Sequence, residues 1–452
     1  MARSPTGTRR FSSTHASGTL ALGIALLAAA AMLGYHEGLF IPRVAAVQRS
    51  EGLGHGYSFG NDFYQVWLSA REMLRARLDP YSPEMTREIQ VGLYGRPLDP
   101  HRVGDPVDQR GFPYPAFTDL LFWPVAGIPF ETVRIWVLCA LFLLTGAGVL
   151  LWMRALDWRL GWKWLAVVLL LALSSYPALE GLYAGQLGLL VAFLLAASVV
   201  ALQREKFMLA GTLLAVSTIK PQMTALVIVY FLFWTLSDWR VRKKFFLGFF
   251  STFAILLGTS LAVLPHWIQS WVHTLLAYRH YTRPPLVTEV LTSPLGPRWA
   301  GAATLVLTIV GLVIAVVLAW KNRAASLDSL AFWRTFTLLL AITTITLLPG
   351  QAVYDHLILI PAILLLARDR GRLLEAGRVP RILFWLGALV LFWPWLAAFA
   401  LGVLRPWLAP DVLDATAVLS LPLRTAASLP FVVLALLAWT WRTRSVTIQE
   451  GA

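Results

Sequence analysis

The carboxylate of Asp62 is the side chain in this sequence that is best placed to do chemistry. Asn61 and Asp62 directly precede an apolar pattern with helical spacing that starts at Phe63. A carboxylate at such a place could act as a general base and take a proton from a hydroxyl group. Alternatively, Asn61 or Asp62 could cap the helix by accepting hydrogen bonds from its first N–H groups. The spacing alone leaves both roles open.

Lys220 is the second candidate, because it interrupts an apolar stretch. Lys220 and Pro221 divide residues 207–237 into two halves, and the first half would reach only about 18 Å as a helix. The hydrocarbon core is about 30 Å thick, so we predict a broken pair of helices with Lys220 in a cavity below the outer surface. There the ammonium group could meet a phosphate, or it could extend to the lipid headgroups.

Two further polar groups stand at the ends of apolar stretches. Tyr354-Asp355-His356 could bind a phosphate or a sugar hydroxyl, or transfer a proton; Asp355 could instead cap a helix, with His356 simply at the membrane interface. Gln186 belongs to a short polar turn that begins at Glu180. It could contact a sugar or a lipid headgroup, or it could be an ordinary turn residue.

The sequence indicates no metal site. His266, His273 and His280 are spaced by seven residues, which separates them by about 10 Å along a helix. Zinc ligands on a helix usually stand four residues apart. The sequence also has no HExxH or CxxC motif, no P-loop and no GxGxxG after a strand. We therefore expect neither bound metal nor ATP-driven chemistry, and we note Arg279 as a further candidate for contact with a phosphate.

The composition predicts a membrane protein. The chain has 452 residues, of which 58 % are hydrophobic and 14 % charged, which is too apolar for a soluble domain of this size. The apolar stretches recur at about the 20 residues of a membrane-spanning helix and lack strand-like alternation. We predict an all-α polytopic protein with about 12 transmembrane helices. The first span, about 18–41, follows a basic tail at 1–17 and is expected to be retained rather than cleaved.

The charge distribution predicts the orientation in the membrane. The net charge of +14 comes from lysines and arginines in short segments between apolar stretches. This is the pattern of cytoplasmic loops rather than of a nucleic-acid-binding patch. It places both termini in the cytoplasm and the long loop at 42–130 outside. In that loop we expect one interfacial helix after Asp62, a second ending near Leu93, and a short apolar dip at 116–128. A single transmembrane domain at 18–441 would precede a cytoplasmic tail at 442–452.

Four short segments, taken together, resemble the family-87 glycosyltransferases. They are Asn61-Asp62-Phe63-Tyr64 with Asp79-Pro80-Tyr81, Phe112-Pro113-Tyr114-Pro115, Gly185-Gln186, and Lys220-Pro221-Gln222. Members of this family are integral-membrane enzymes of the GT-C fold, and some transfer mannose from a polyprenyl-phosphate donor to glycolipids. The resemblance covers most of residues 18–370 and implies a GT-C-type bundle.

The resemblance also implies roles for individual residues. The catalytic carboxylate that the family carries in its first outer loop corresponds to Asp62. Lys220 and Tyr354-Asp355-His356 correspond to positions near the donor phosphate or the acceptor. Asn61 stands where many GT-C enzymes have a second acid, so we expect chemistry without a metal or other cofactor.

The implied reaction is an inverting transfer on the outer face of a bacterial plasma membrane. The expected partners are the lipid bilayer, a polyprenyl-phosphate sugar as donor and a lipid-linked or glycan hydroxyl as acceptor, with no nucleic acid and no protein partner. A lipid or solute transporter is the alternative. A transporter would be expected to carry charged residues near the middle of the membrane and related halves, whereas the polar candidates here gather at the outer face.

Overall fold

The computed structural model describes residues 15–54, 58–282, 292–349, 352–407, 420–422 and 428–447, and this part of the chain is all-helical. We number its α-helices in chain order. They are α1 His15–Tyr35, α2 Ile41–Ser50, α3 Asn61–Arg75, α4 Pro83–Tyr94, α5 Phe117–Ala126, α6 Phe130–Ala155, α7 Trp162–Leu173, α8 Tyr176–Ala184, α9 Leu187–Gln203, α10 Phe207–Val216, α11 Pro221–Leu236, α12 Trp239–Val263, α13 Trp267–Thr282, α14 Pro297–Lys321, α15 Leu330–Thr346, α16 Ile360–Arg368, α17 Arg370–Glu375, α18 Arg378–Leu404 and α19 Leu429–Thr447.

The helices confirm the all-α membrane class. Five described helices are long and apolar enough to cross a membrane, and α7 and α8, which meet at a bend of 56°, could together form a sixth span. Six shorter apolar helices of 10–17 residues accompany them within the described ranges. A total of about 12 spans therefore stays a prediction. Residues 1–14 and 448–452, which belong to the two predicted tails, lie outside the described residues.

The first helix is longer than the predicted first span. A π-helical segment at His36–Phe40 joins α1 directly to α2, so the helix continues past residue 41 to Ser50. A π-turn adds a residue to one turn and so shifts the hydrogen-bond register. Such a shift can accommodate Pro42, which has no N–H group, near the start of α2.

The predicted helices of the long loop are confirmed as α3 and α4, and the predicted dip contains α5. One face of α3 buries Phe63, Val66 and Ala70, as expected from their spacing. Helix α3 packs on α5, and the indole N–H of Trp67 donates a hydrogen bond to the carbonyl of Ile128 at 2.9 Å. This packing holds α3 against α5 and the turn that follows it.

The predicted break at Lys220 is also confirmed. Helix α10 ends at Val216, a 3₁₀ turn covers Ser217–Ile219, and α11 begins at Pro221. Lys220 lies between the two helices with φ −127° and ψ 77°, outside the α region that a following proline disfavours. The break thus places one lysine between two helices that are otherwise mainly apolar.

The apolar stretch at about 352–367 is not one continuous α-helix. Its first half, Val353–Leu359, is a 3₁₀ helix, and α16 begins only at Ile360. Pro361 explains the change, because its ring would clash with the carbonyl four residues earlier in a continuous α-helix. The 3₁₀ segment packs on α8 and α9, which brings Tyr354 and Asp355 to the ends of those helices.

Candidate active site

A polar cavity of about 430 Å³ opens among the start of α3, the loop at 108–114, the break between α10 and α11, helix α13 and the 3₁₀ segment. It brings together five of the side chains that the sequence had marked as candidates. These are Asp62, Gln186, Lys220, Tyr354 and Asp355.

Asp62 does not cap its helix. Helix α3 begins at Asn61 with Gly60 at the cap position, so Asp62 is the second helical residue and the capping alternative is wrong. Its Oδ1 accepts a hydrogen bond from Nη1 of Arg110 at 2.9 Å, and its Oδ2 accepts one from Nε2 of Gln186. A carboxylate in the first turn also interacts favourably with the helix dipole.

The approach of Gln186 to Asp62 depends on the end of α8. Gly185 ends this helix with φ 72°, a left-handed conformation that glycine adopts without strain. A Cβ atom at Gly185 would lie 2.8 Å from the Cβ of Phe63. The N–H of Gly60 donates to the carbonyl of Tyr183 at 2.7 Å. The end of α8 and the start of α3 are therefore held in direct contact.

Gln186 connects the carboxylate of Asp62 to the ammonium group of Lys220. Its Nε2 donates to Asp62, and its Oε1 accepts from Nζ of Lys220 at 2.9 Å. Nζ of Lys220 also donates to Oδ1 of Asp355 at 2.8 Å and lies 4.9 Å from the ring centre of Tyr354. The result is a chain of hydrogen bonds along one wall of the cavity, with a carboxylate at each end and the amide and the ammonium group between them.

Asp355 lies against the start of α9. A Cβ atom at Gly188 would collide with Oδ1 of Asp355 and would lie 3.4 Å from Nζ of Lys220. Glycine at this position therefore allows the ion pair to approach the helix backbone. The N-terminal end of α9 favours a negative charge, which helps to hold the carboxylate of Asp355.

Three predicted residues are not placed at the cavity wall. His356 lines a separate, mainly apolar cavity of about 210 Å³ between α7, α8, α16 and α18. Successive residues of a 3₁₀ helix point about 120° apart, so Asp355 and His356 face different cavities, contrary to the expectation that they act together. Asn61 is buried at the start of α3 and does not line the polar cavity. The side chain of Arg279 lies outside the described residues.

Arg110 is the main residue that sequence reasoning missed. It lines the cavity and has a left-handed backbone with φ 59°. Its Nε donates to the phenol oxygen of Tyr94 at 2.9 Å, and its backbone N–H donates to Oδ1 of Asp108 at 2.8 Å. Burial disfavours its charge, but the acidic groups around it raise the pKa of Arg110 well above its usual range. No motif separates Arg110 from the other arginines of the loop.

Tyr114 adds a neutral hydrogen-bonding group to the cavity. Burial, and then the negative charge of Asp62, raise the pKa of Tyr114 well above its usual range. The phenol is therefore protonated at neutral pH and can donate a hydrogen bond. The indole N–H of Trp271 in α13 donates to the carbonyl of Pro113 at 3.0 Å, which holds α13 beside this loop.

The described residues include no group of three or more His, Cys, Asp or Glu side chains that could hold a metal ion. Among the residues that the structure describes, the ionisable groups that line the polar cavity are Asp62, Asp108, Asp355, Arg110, Lys220, Tyr114, Tyr278 and Tyr354.

The fold defines an all-helical membrane protein, and its polar cavity is lined by both acidic and basic side chains. The model of glycosyltransferase family 87 matches residues 112–349, which is more than half of the chain, and the chain belongs to this family. The matched range contains Gln186 and Lys220, whereas Asp62 and Asp355 lie outside it. Searches of curated proteins and of solved structures found no match. The family identifies the protein as a membrane-associated glycosyltransferase.

Proposed function

We propose that this glycosyltransferase moves a sugar from a polyprenyl-phosphate donor to a hydroxyl group of a lipid-linked or glycan acceptor. Mannose is the proposed sugar, in line with the resemblance to the polyprenyl-phosphate-mannose-dependent members of the family. The proposed location is the outer face of a bacterial plasma membrane, with both termini in the cytoplasm. A lipid-phosphate sugar carries its own leaving group, so the reaction needs no nucleotide.

The observation that carries the proposal is the bridge from Asp62 through Gln186 to Lys220. It places a carboxylate and an ammonium group one amide apart on the wall of a single cavity. Glycosyl transfer from a phosphate donor needs both groups, because a proton must leave the acceptor while negative charge grows on the leaving phosphate.

In the proposed reaction, Asp62 takes the proton from the acceptor hydroxyl. The acceptor oxygen forms a bond to the anomeric carbon from the face opposite the phosphate. The bond between that carbon and the phosphate oxygen breaks, and its electron pair leaves with the polyprenyl phosphate. The configuration at the anomeric carbon is thereby inverted. Lys220 offsets the charge on the departing phosphate, and the protonated phenol of Tyr114 is a second donor for it.

Asp355 and Tyr354 have a supporting role in this proposal. They surround the ammonium group of Lys220 and fix its position while the phosphate arrives. We assign no step to His356, because it lines the other cavity. Metal-independent chemistry is part of the proposal, since Asp62 and Lys220 supply the base and the cation that the reaction needs.

A transfer assay tests the proposal. The purified protein in lipid nanodiscs is incubated with polyprenyl-phosphate mannose and a bacterial membrane lipid extract, and products are identified by mass spectrometry. We expect one hexose to be added to an acceptor lipid or glycan, with and without a chelator. Parallel reactions with nucleotide sugars and with other polyprenyl-phosphate sugars distinguish donor class from sugar identity. Transfer from nucleotide sugars alone would contradict the proposed donor.

A further inference from the structure

A second recess lies beside the polar cavity, between α4, the loop that follows it and α13. It has a volume of about 530 Å³, and we call it the α4 cleft. Clefts that bind small ligands commonly measure about 300–1,000 Å³. The proposed transfer assigns no role to this cleft, so its lining was searched for the chemistry of a ligand.

One face of α4 forms the floor of the cleft. Thr86, Arg87 and Gln90 all line it, because residues three and four apart share a helix face. Gln90 is buried and holds the loop in place: its Nε2 donates to the carbonyl of Gln109 at 2.8 Å, and its Oε1 accepts from the N–H of Leu98 at 2.9 Å. Thr86 is half-buried and Arg87 is exposed, so the hydroxyl and guanidinium groups can meet a ligand.

The lining combines flat apolar surfaces with hydrogen-bonding groups. The rings of Tyr81, Pro83 and Pro97 face the same space as the side chains of Thr86, Arg87 and Thr274. A sugar presents the matching combination, since it has an apolar C–H face and a rim of hydroxyl groups that donate and accept hydrogen bonds. A hydrocarbon chain would instead remove water from the hydroxyl and guanidinium groups without replacing its hydrogen bonds. The lining therefore favours carbohydrate over a lipid tail.

The loop between α4 and α5 is a wall that the α4 cleft shares with the polar cavity. Gln109 lines the cleft, Arg110 lines the polar cavity, and Gly111 lines both. The phenol of Tyr81 in the cleft donates to the carbonyl of Tyr114 at 2.8 Å, and Tyr114 itself lines the polar cavity. The two recesses are thus direct neighbours.

Helix α13 borders both recesses as well. Trp271, Leu275 and Tyr278 line the polar cavity, whereas Thr274 and Ala277 line the α4 cleft. At 3.6 residues per turn, these two sets lie on adjoining faces of the helix. The recesses therefore run side by side along α13, and a chain-like ligand with one end in the polar cavity can extend into the cleft.

We propose that the α4 cleft binds the part of a glycan acceptor that lies beyond the reacting sugar. The acceptor is then a carbohydrate chain of at least two sugars. A hydroxyl of its terminal sugar faces Asp62, and the next sugar lies between Tyr81 and Arg87. No bond is made or broken in the cleft, so its residues select the acceptor through binding alone. The inference rests on the proposed function and specifies the acceptor of that same reaction.

The test determines which acceptors are extended. The protein in lipid nanodiscs receives polyprenyl-phosphate mannose and fractions of a bacterial membrane lipid extract, which mass spectrometry sorts by the number of sugars already attached. We expect kcat/KM to be at least tenfold higher for acceptors with two or more sugars than for those with one or none. A kcat/KM that does not rise with the second sugar would overturn the inference.

Two variants show whether the α4 cleft causes this preference. Thr86→Trp fills the cleft with an indole ring, and Arg87→Ala removes a charged hydrogen-bond donor, which is typically worth tenfold or more in binding. For acceptors with two or more sugars we expect the acceptor KM to rise at least tenfold in each variant. The kcat and the donor KM should stay close to those of the unmodified enzyme, because the lost interaction is one of binding alone.

Arg75→Ala is the matched control for Arg87→Ala. Arg75 is an exposed arginine at the end of α3 and lines neither recess, so this variant should behave as the unmodified enzyme. An unchanged acceptor KM in both cleft variants would refute the assignment, and so would a rise in the donor KM alone. Thermal unfolding checks that each variant folds. If Thr86→Trp does not fold, Arg87→Ala decides the question, because Arg87 is exposed.

The two proposals fail differently. If polyprenyl-phosphate sugars give no transfer to any fraction, the proposed function fails. If they give transfer that is indifferent to the number of sugars and to both cleft variants, only the role of the α4 cleft fails.

Discussion

Lys220 and Asp355 are 135 residues apart in the chain and form a buried ion pair, with Nζ and Oδ1 separated by 2.8 Å. The break before Pro221 supplies the cation, and the 3₁₀ segment supplies the anion. Two interruptions of helices thus meet at one point. Irregular backbone of this kind is tolerated in a membrane protein where it lines a cavity.

Replacing Lys220 by methionine, alone and together with Asp355, should distinguish the contribution of Lys220 to stability from its contribution to sugar transfer. The change leaves Asp355 buried without its cation, which typically costs about 3–5 kcal/mol. We expect lower thermal stability and loss of transfer. The double variant Lys220→Met with Asp355→Leu should recover most of the stability but none of the activity, because the cation proposed for the leaving phosphate is still absent. Recovery of transfer in the double variant would contradict the role of Lys220.

Replacing Gln186 by glutamate should weaken the hydrogen-bonded bridge between Asp62 and Lys220 while it keeps the size of the side chain. A carboxylate at this position cannot donate to Asp62 and places a second negative charge beside it. Loss of one hydrogen bond to a charged group is worth about 1.5–3 kcal/mol, so kcat/KM should fall by about 10- to 100-fold. Gln269→Glu, at an exposed position of α13, controls for added charge. An unchanged kcat/KM in Gln186→Glu would show that the bridge does not matter for transfer.

Replacing Gly185 by alanine should disturb the site through the backbone. The left-handed conformation costs a non-glycine residue about 1–2 kcal/mol, and the new Cβ would press on Phe63. Gly95→Ala is a close control, because Gly95 ends α4 with a similar φ of 74°, and a Cβ atom added there would meet no described atom within 4 Å. Thermal unfolding and transfer are measured for both variants.

The left-handed backbone should lower the free energy of unfolding by a similar amount in both variants. Only Gly185→Ala should also lose most of its transfer activity. Equal activity in the two would mean that the contact between α8 and α3 does not position Asp62 and Gln186.

Local features of the chain were predictable from the sequence. Lys220 was expected at a helix break because Pro221 follows it and the first half of the stretch is too short to cross a membrane. The helix after Asp62 followed from the spacing of Phe63, Val66 and Ala70. In each case the cause lies within a few residues of the feature, so a single sequence contains it.

Contacts between distant parts of the chain, and the direction in which a side chain points, were not predictable from the sequence. Asp62 and Gln186 are 124 residues apart, and their contact depends on how α8 ends against α3. Arg110 carries no motif, and its left-handed backbone is unusual for arginine. His356 was grouped with Asp355 because they are adjacent in sequence, but the 3₁₀ geometry separates them. These outcomes depend on tertiary packing rather than on local pattern.

The most direct test of the account is the rate of sugar transfer by Asp62→Asn. Asparagine keeps the size of the side chain but cannot accept a proton as a base, and general-base catalysis typically contributes about 10²- to 10⁴-fold. The matched control is Asp157→Asn, whose side chain is 78 % exposed in the loop between α6 and α7. The account predicts a loss of this size in Asp62→Asn with normal insertion, and no loss in the control. Thermal stability of Asp62→Asn should fall modestly, because asparagine has one accepting oxygen and cannot accept from both Arg110 and Gln186. Transfer by Asp62→Asn at the rate of the unmodified enzyme would contradict the central claim that Asp62 is the base.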